Sequence, residues 1–249
     1  MRTAIVSFVL AMLMTAAAAA DVHVKQVVRV DPYYDGGPSG GTTTEIDIWF
    51  GEGKIAAINQ GGTVVFDPAA ARLTVINPAD SSYCDVALPV NRDSALAADY
   101  KARIDRWFYD GSVRPTGEKK EIGGKVCSAY AYEQWIQLGE DKYGESEKTF
   151  WLATNVSFDW KLFNDMQLAI LSLARSSDAY LEGMKNLRGF ALAADMIVYD
   201  RGQKIVSRLA ADVLGTGEPP DGCYDVPGWC KKRDRLPRDM FLILIQLVY

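Results

Sequence analysis

Acid, base or nucleophilic catalysis needs particular side chains at workable spacing, and this chain offers few of them. Its single histidine, His23, falls in an alternating stretch, 22–30, where a solvated imidazole is the expected state. A nucleophile needs a base beside it, and His23 is the only imidazole available. No His-Glu-x-x-His helix and no phosphate loop ending Gly-Lys-Ser/Thr occurs. Glycosidases need only two carboxylates. Glu45 and Asp47 share one face of a strand, and their alternation with Ile46 and Ile48 reads that face as solvent-exposed. Glu118, Glu121, Glu140, Asp141, Glu145 and Glu147 gather around loops, where solvated charges collect. The sequence therefore reads as a non-enzyme, with no catalytic residue, cofactor or metal assigned.

Cys84, Cys127, Cys223 and Cys230 are the other candidates for chemistry. They lack any Cys-x-x-Cys pair, which argues against a four-thiolate metal site. An even number in an exported chain points to two disulfides. Cys223 and Cys230 bracket Pro227-Gly228 as a local loop, and by elimination Cys84 pairs with Cys127. Six tryptophans and twelve tyrosines recur along the chain, as core and rim packing or as the lining of an amphipathic cavity.

Export is read from residues 1–20. Arg2 supplies the positive start, 5–14 the apolar centre and Ala16–Ala20 the small-residue run before Asp21, the pattern of a cleaved signal peptide. The apolar part is too short for a spanning helix. The whole chain has net charge −5, and removing Arg2 makes the remainder more acidic still, a poor match for phosphate-backbone binding. Nucleic acid is excluded as a partner, and the expected location is the periplasm.

The elements that would position these residues are mostly strands. Residues 42–50 alternate apolar and polar; 54–58, 63–67 and 72–76 follow after short glycine turns, an antiparallel meander that curls. Residues 93–108 place Leu96, Tyr100, Ile104 and Trp107 on one helical face. Strands are expected at 22–30, 111–122, 125–138 and 147–153, with a loop at 139–146. A helix is expected at 159–176 capped by Asp159, a second helical piece at 179–187 stopped by Gly189, and a hairpin over 190–213. Residues 116–133, bracketed by Gly117 and Gly123-Gly124, read as a hinge between two half-sheets. The apolar run 240–249 is too short to span a bilayer and reads as a buried final element.

Several segments together resemble an exported bacterial family. Residues 45–58 resemble its strand, glycine turn and Lys-Ile strand, and 65–76 its next hairpin. Residues 116–130 resemble its linker, Thr-Gly-Glu-x-Lys-x-Ile-x-Gly-x-x-Cys-x-x-Tyr, and 149–154 its tryptophan-bearing strand around Trp151. Tyr224-Asp225-Val226-Pro227 with Lys231-Lys232 resembles its closing segment, with Trp229-Cys230 in place of Gly-Tyr. The family is related in fold to periplasmic lipoprotein carriers and outer-membrane lipoprotein receptors. The resemblance implies a hydrophobic cavity able to hold acyl chains.

The expected fold class is α+β: a strongly curved antiparallel sheet, an incomplete β-barrel, with helices plugging its concave face. It spans 21–232, with 233–249 as an apolar extension. The expected function is non-enzymatic binding of an apolar ligand, a lipid or a lipidated protein. Alternation assigns Ile46, Ile48, Phe50, Val64, Phe66, Leu73, Val75, Phe150 and Leu152 to the lining. Alternatives are an envelope interaction or sensor domain that meets a protein partner through 240–249, and a hydrolase.

Overall fold

The computed structural model describes residues 20–34, 37–38, 40–200 and 203–247. The expected signal peptide lies outside these residues apart from Ala20.

The chain opens with β1 (Asp21–Tyr34) and β2 (Gly37–Pro38). A first meander follows: β3 (Thr42–Gly51), β4 (Lys54–Asn59), β5 (Gly62–Asp67), β6 (Arg72–Asn77) and β7 (Ser82–Ala87). Two short helices, α1 (Arg92–Ala95) and α2 (Ala98–Ile104), lead into a second series, β8 (Phe108–Ile122), β9 (Lys125–Leu138) and β10 (Asp141–Ala153). Helices α3 (Trp160–Leu173) and α4 (Asp178–Lys185) precede β11 (Phe190–Asp200) and β12 (Gln203–Gly217). The chain closes with β13 (Lys231–Arg233) and α5 (Arg238–Ile245).

The strands form one sheet in the order β13-β7-β6-β5-β4-β3-β1-β12-β11-β10-β9-β8, with β2 paired to β1. Two sequential antiparallel meanders are thus joined by β1, which pairs β3 on one side and β12 on the other. Among the named strands described, β13 with β7 is the parallel pair, and isolated parallel bridges join Leu96 to Leu236 and Tyr109 to Ser176. The expected fold class is corrected here. The sheet neither closes nor curls into a barrel: it runs as an open mixed sheet ending at β13 and β8, and among the described residues strand outweighs helix, 54% to 19%. The helices lie along one face of it and share a core with inward residues of both meanders.

The seam also differs from expectation. Residues 116–133 sit in the outermost hairpin, β8 with β9, and the join between the halves is β1. The helix expected over 93–108 is broken at Leu96-Ala97. There the backbone turns to pair with Leu236: Leu236 N–H donates to Ala95 O at 2.7 Å, and Ala97 N–H to Leu236 O at 3.0 Å. Long-range pairing overrides local helix propensity. The expected loop at 139–146 is strand from Asp141 onward.

Other local expectations have direct counterparts. Asp159 caps α3 by accepting from the backbone of Lys161 and Leu162. Gly189 has φ +114°, and a Cβ there would lie 2.7 Å from the carbonyl oxygen of Ala153, so this turn needs glycine. The apolar run at the end forms α5, with Met240, Phe241, Ile243 and Leu244 buried in the shared core.

The four cysteines stand as free thiols in place of the two expected disulfides. Cys84 on β7 and Cys127 on β9 have eight strands between them in the sheet order. Cys223 is buried against Trp49, Ala56 and Val65 on the outer face, in a cluster that does not include Cys230. Burial pushes the thiols of Cys84 and Cys223 up to about 11.

An aromatic knot ties the halves to α3. Phe50 of β3 stacks on Phe158 at 4.1 Å, and Phe190 of β11 meets Phe158 at 5.0 Å and Phe163 of α3 at 4.9 Å. Phe190→Ala is expected to lower unfolding free energy by about 3–5 kcal/mol in urea titration, since the fully buried ring leaves a cavity. Thiol titration supplies a second check. All four cysteines should react in denaturant without reductant, whereas Cys84 and Cys223 should resist modification at pH 8 in the folded protein.

Candidate functional site

Sheet alternation places Ser146, Lys148, Phe150 and Leu152 on the same face of β10, the face that carries the helices. Toward Leu152 this face is covered by α3 and α4. Toward Ser146 it runs out from under them. At Tyr143/Ser146 the register with β9 shifts, and Gly144 between them has φ +58°. This bulge resets the alternation, so Tyr143 joins Ser146 on one face although they stand three positions apart in sequence.

The uncovered end is a cleft of about 650 Å³, within the roughly 300–1,000 Å³ typical of small-molecule sites. Ile136 and Leu138 of β9, Tyr143 of β10, Val198 of β11 and Ile205 of β12 form its apolar walls, continued by Tyr109 of β8 beside Ile136 and bordered by Trp107. Trp107, Leu138 and Tyr143 are 36%, 42% and 43% exposed, large apolar groups left in contact with water. Trp107 and Tyr109 also border a smaller hollow of about 80 Å³ formed with Tyr100, Phe241 and Ile245.

Lys148 lies at the inner end of the cleft and is only 9% exposed. Its Nζ donates to Gln134 Oε1 at 3.1 Å and sits 4.9 Å from the centre of the Tyr132 ring. Tyr132 is itself buried, meets Phe150 edge-on at 5.4 Å, and shares a short hydroxyl–hydroxyl hydrogen bond with Tyr180 of α4. In register Lys148 lies between Tyr132 on β9 and Met196 on β11. No carboxylate of the described residues forms an ion pair with it. Desolvation lowers its pKa to about 7, and the same burial raises Tyr132, Tyr180 and Tyr109. Near neutral pH the amine is therefore poised between a cation that recognises an anion and a free base.

The nine residues assigned to the lining by alternation do face inward, on β3, β5, β6 and β10. They are packed as core: Ile46, Ile48, Val64, Leu73 and Val75 are 0% exposed, Phe66 3%, Phe150 and Leu152 4%, and Phe50 5%. The space beside Phe150 and Leu152 is about 20 Å³, room for roughly one water. The open hollow lies one step beyond Phe150, past Lys148. Lys148 was detectable in the sequence as a charge in phase with Phe150 and Leu152 on an alternating strand. Gln134 and Trp107 carried no such signal, because their place in the cleft depends on strand pairing.

The remaining chemical candidates lie elsewhere. His23 is paired with Asp47, Nε2 to Oδ1 2.8 Å, and its ring stacks on Trp49 at 4.2 Å. With Lys25–Glu45 at 2.7 Å this forms a charged strip on the outer face of β1 and β3, away from the cleft. Gly37-Pro38-Ser39-Gly40-Gly41 spells Gly-x-Ser-x-Gly, but Ser39 lies outside the described residues and the element that follows is strand β3, where a nucleophile elbow requires a helix. Among the described residues no group of three or more His, Cys, Asp or Glu is placed to hold a metal, and no helix is long and apolar enough to cross a membrane.

No family model matches the chain, and no curated protein matches it. A solved structure of PNGF-II is similar with a TM-score of 0.38 and 8% identity, over 90% of this chain and 33% of that one. The chain thus spans about a third of that structure's length, and a likeness this slight carries neither fold nor function.

The Lys148 environment has a consequence for stability. Between pH 7 and the ordinary lysine range the unfolded chain holds a proton that the folded chain has lost, so stability rises with pH across that window. In urea unfolding at pH 7, 8 and 9, the wild type is expected to gain about 1 kcal/mol per pH unit relative to Lys148→Met. Identical pH dependence in the two proteins would contradict the assignment.

Proposed function

We propose that this chain is an exported binding protein that takes the apolar body of a small lipid-like molecule into the cleft over β9–β12. The observation that carries the reading is the uncovered apolar wall itself: Ile136, Leu138, Tyr143, Val198 and Ile205 on four adjacent strands, bordered by Trp107. Burying each aliphatic side chain contributes about 1.5–3 kcal/mol, so an occupant covering several of them gains substantial affinity. The apolar ligand implied by the family resemblance is retained, and its site moves from the packed inward residues of β3, β5, β6 and β10 to this cleft. Export is supported by Arg2, the apolar stretch after it and the alanine run before Asp21.

Binding is preferred to hydrolysis because the His23–Asp47 pair lies on the opposite face of the sheet from the cleft. It is preferred to docking through the C-terminal run because Met240, Phe241, Ile243 and Leu244 are buried in the core.

N-phenyl-1-naphthylamine, a neutral apolar dye, is the direct test. Its fluorescence should rise on mixing with the protein, and Ile136→Glu should weaken binding by tenfold or more while leaving the urea unfolding midpoint close to wild type. No fluorescence change, or equal binding by both proteins, would overturn the proposal.

A further inference from the structure

The cleft joins an apolar wall to one buried cation. We infer that its ligand is an aliphatic chain ending in a carboxylate, with Lys148 as the counter-ion and Gln134 as a second donor to the acid group. This rests on the binding function proposed above and adds the chemistry of the head group.

Four observations carry it. First, Lys148 is nine-tenths buried and lines the cleft, yet makes no ion pair among the described residues. Burying an unpaired ammonium costs several kcal/mol, whereas a buried charge with a partner is tolerated. Second, its two neighbours are neutral. Gln134 Oε1 accepts one hydrogen bond and the Tyr132 ring lies 4.9 Å away, which leaves two of the three ammonium donors without an acceptor among the described residues. Third, Gln134 uses its carbonyl oxygen for Lys148, so its NH₂ is available to a second oxygen. A carboxylate offers two acceptor oxygens and a single negative charge, matching one amide donor and one cation.

The fourth observation is the gradient of burial. Lys148 lies beside the closed core at Phe150, and exposure rises outward along β9 and β10 to Leu138 and Tyr143. The head group therefore belongs at the inner end, with the chain running outward along Val198, Ile136 and Leu138.

The pH dependence follows from the groups around the amine. Those facing it are Tyr132 on β9, Tyr180 on α4 behind Tyr132, Tyr109 on β8 and Met196 on β11, all uncharged at neutral pH. Burial alone holds the lysine's pKa near 7. A bound carboxylate favours the ammonium and raises its pKa, so binding takes up a proton above pH 7 and affinity falls as pH rises.

The experiment is displacement of N-phenyl-1-naphthylamine from the full chain by dodecanoate and by dodecanol, each at pH 7 and pH 9. Wild type should bind the acid at least tenfold more tightly than the alcohol at pH 7, and this preference should shrink at pH 9. In Lys148→Met the two should come within twofold of each other at both pH values. Equal wild-type affinity for acid and alcohol overturns the head-group assignment while leaving the apolar site standing. A preference that persists in Lys148→Met assigns the acid to another residue and also overturns it. Binding of neither molecule nor of the dye overturns the apolar site as well.

Discussion

Pairing of β1 with both β3 and β12 holds the two halves of this protein together. Each meander alone would end in a strand with an unpaired row of backbone N–H and C=O groups, the liability of any exposed edge. A strand of fourteen residues between them satisfies both edges at once. It also makes the inner faces continuous, so that Val22 and Val24 of β1 join Ile46, Ile48 and Phe50 on one side and Leu209 and Ala211 on the other in a single core. The aromatic knot across this join belongs to α3 as much as to the sheet, because Phe163 packs against Phe190 of the second half and lies 6.2 Å from Phe50 of the first. The join depends on residues far apart in sequence, Asp21 with Gly217 at one end, so it forms only once both meanders exist.

Continuity of the sheet limits how much of it the helices can cover. A strand rises about 3.3 Å per residue and a helix about 1.5 Å. The fourteen residues of β9 therefore extend roughly twice as far as the fourteen of α3. Helices that cover the middle of the second half leave its outer end bare. The cleft is this uncovered length, and its apolar side chains continue the core's alternation on β9, β11 and β12, with Tyr143 of β10 brought onto the same face by the bulge at Gly144.

Lys148 sits at the boundary between covered and uncovered sheet. Inward of it lie Phe150 and Leu152 in dry packing; outward lie Ser146 and the cleft. Tyr132 and Tyr180 tie that boundary to α4 through their hydroxyl contact, which fixes the ring beneath the amine. A charge placed where the core ends is shielded from water on one side and open to a ligand on the other. The same desolvation that lowers its proton affinity strengthens its attraction for an anion.

Which residues face inward was legible in the sequence. A period of two assigns faces without knowledge of neighbours, so Ile46, Ile48, Phe50, Val64, Phe66, Leu73, Val75, Phe150 and Leu152 were all read as inward, and all nine lie in the shared core. The Asp159 cap and the Gly189 stop were legible for the same reason, because each acts on backbone groups within a few residues. Whether the inner face is packed or hollow was not, since periodicity is blind to what lies opposite. Strand order, the seam at β1, the break of the helix at Leu96 by Leu236 and the separation of Cys84 from Cys127 were decided by contacts across long stretches of chain. Local sequence sets the direction of each side chain. Only the tertiary structure sets what meets it, because strand pairing and helix cover are determined by the surface that distant segments bury together.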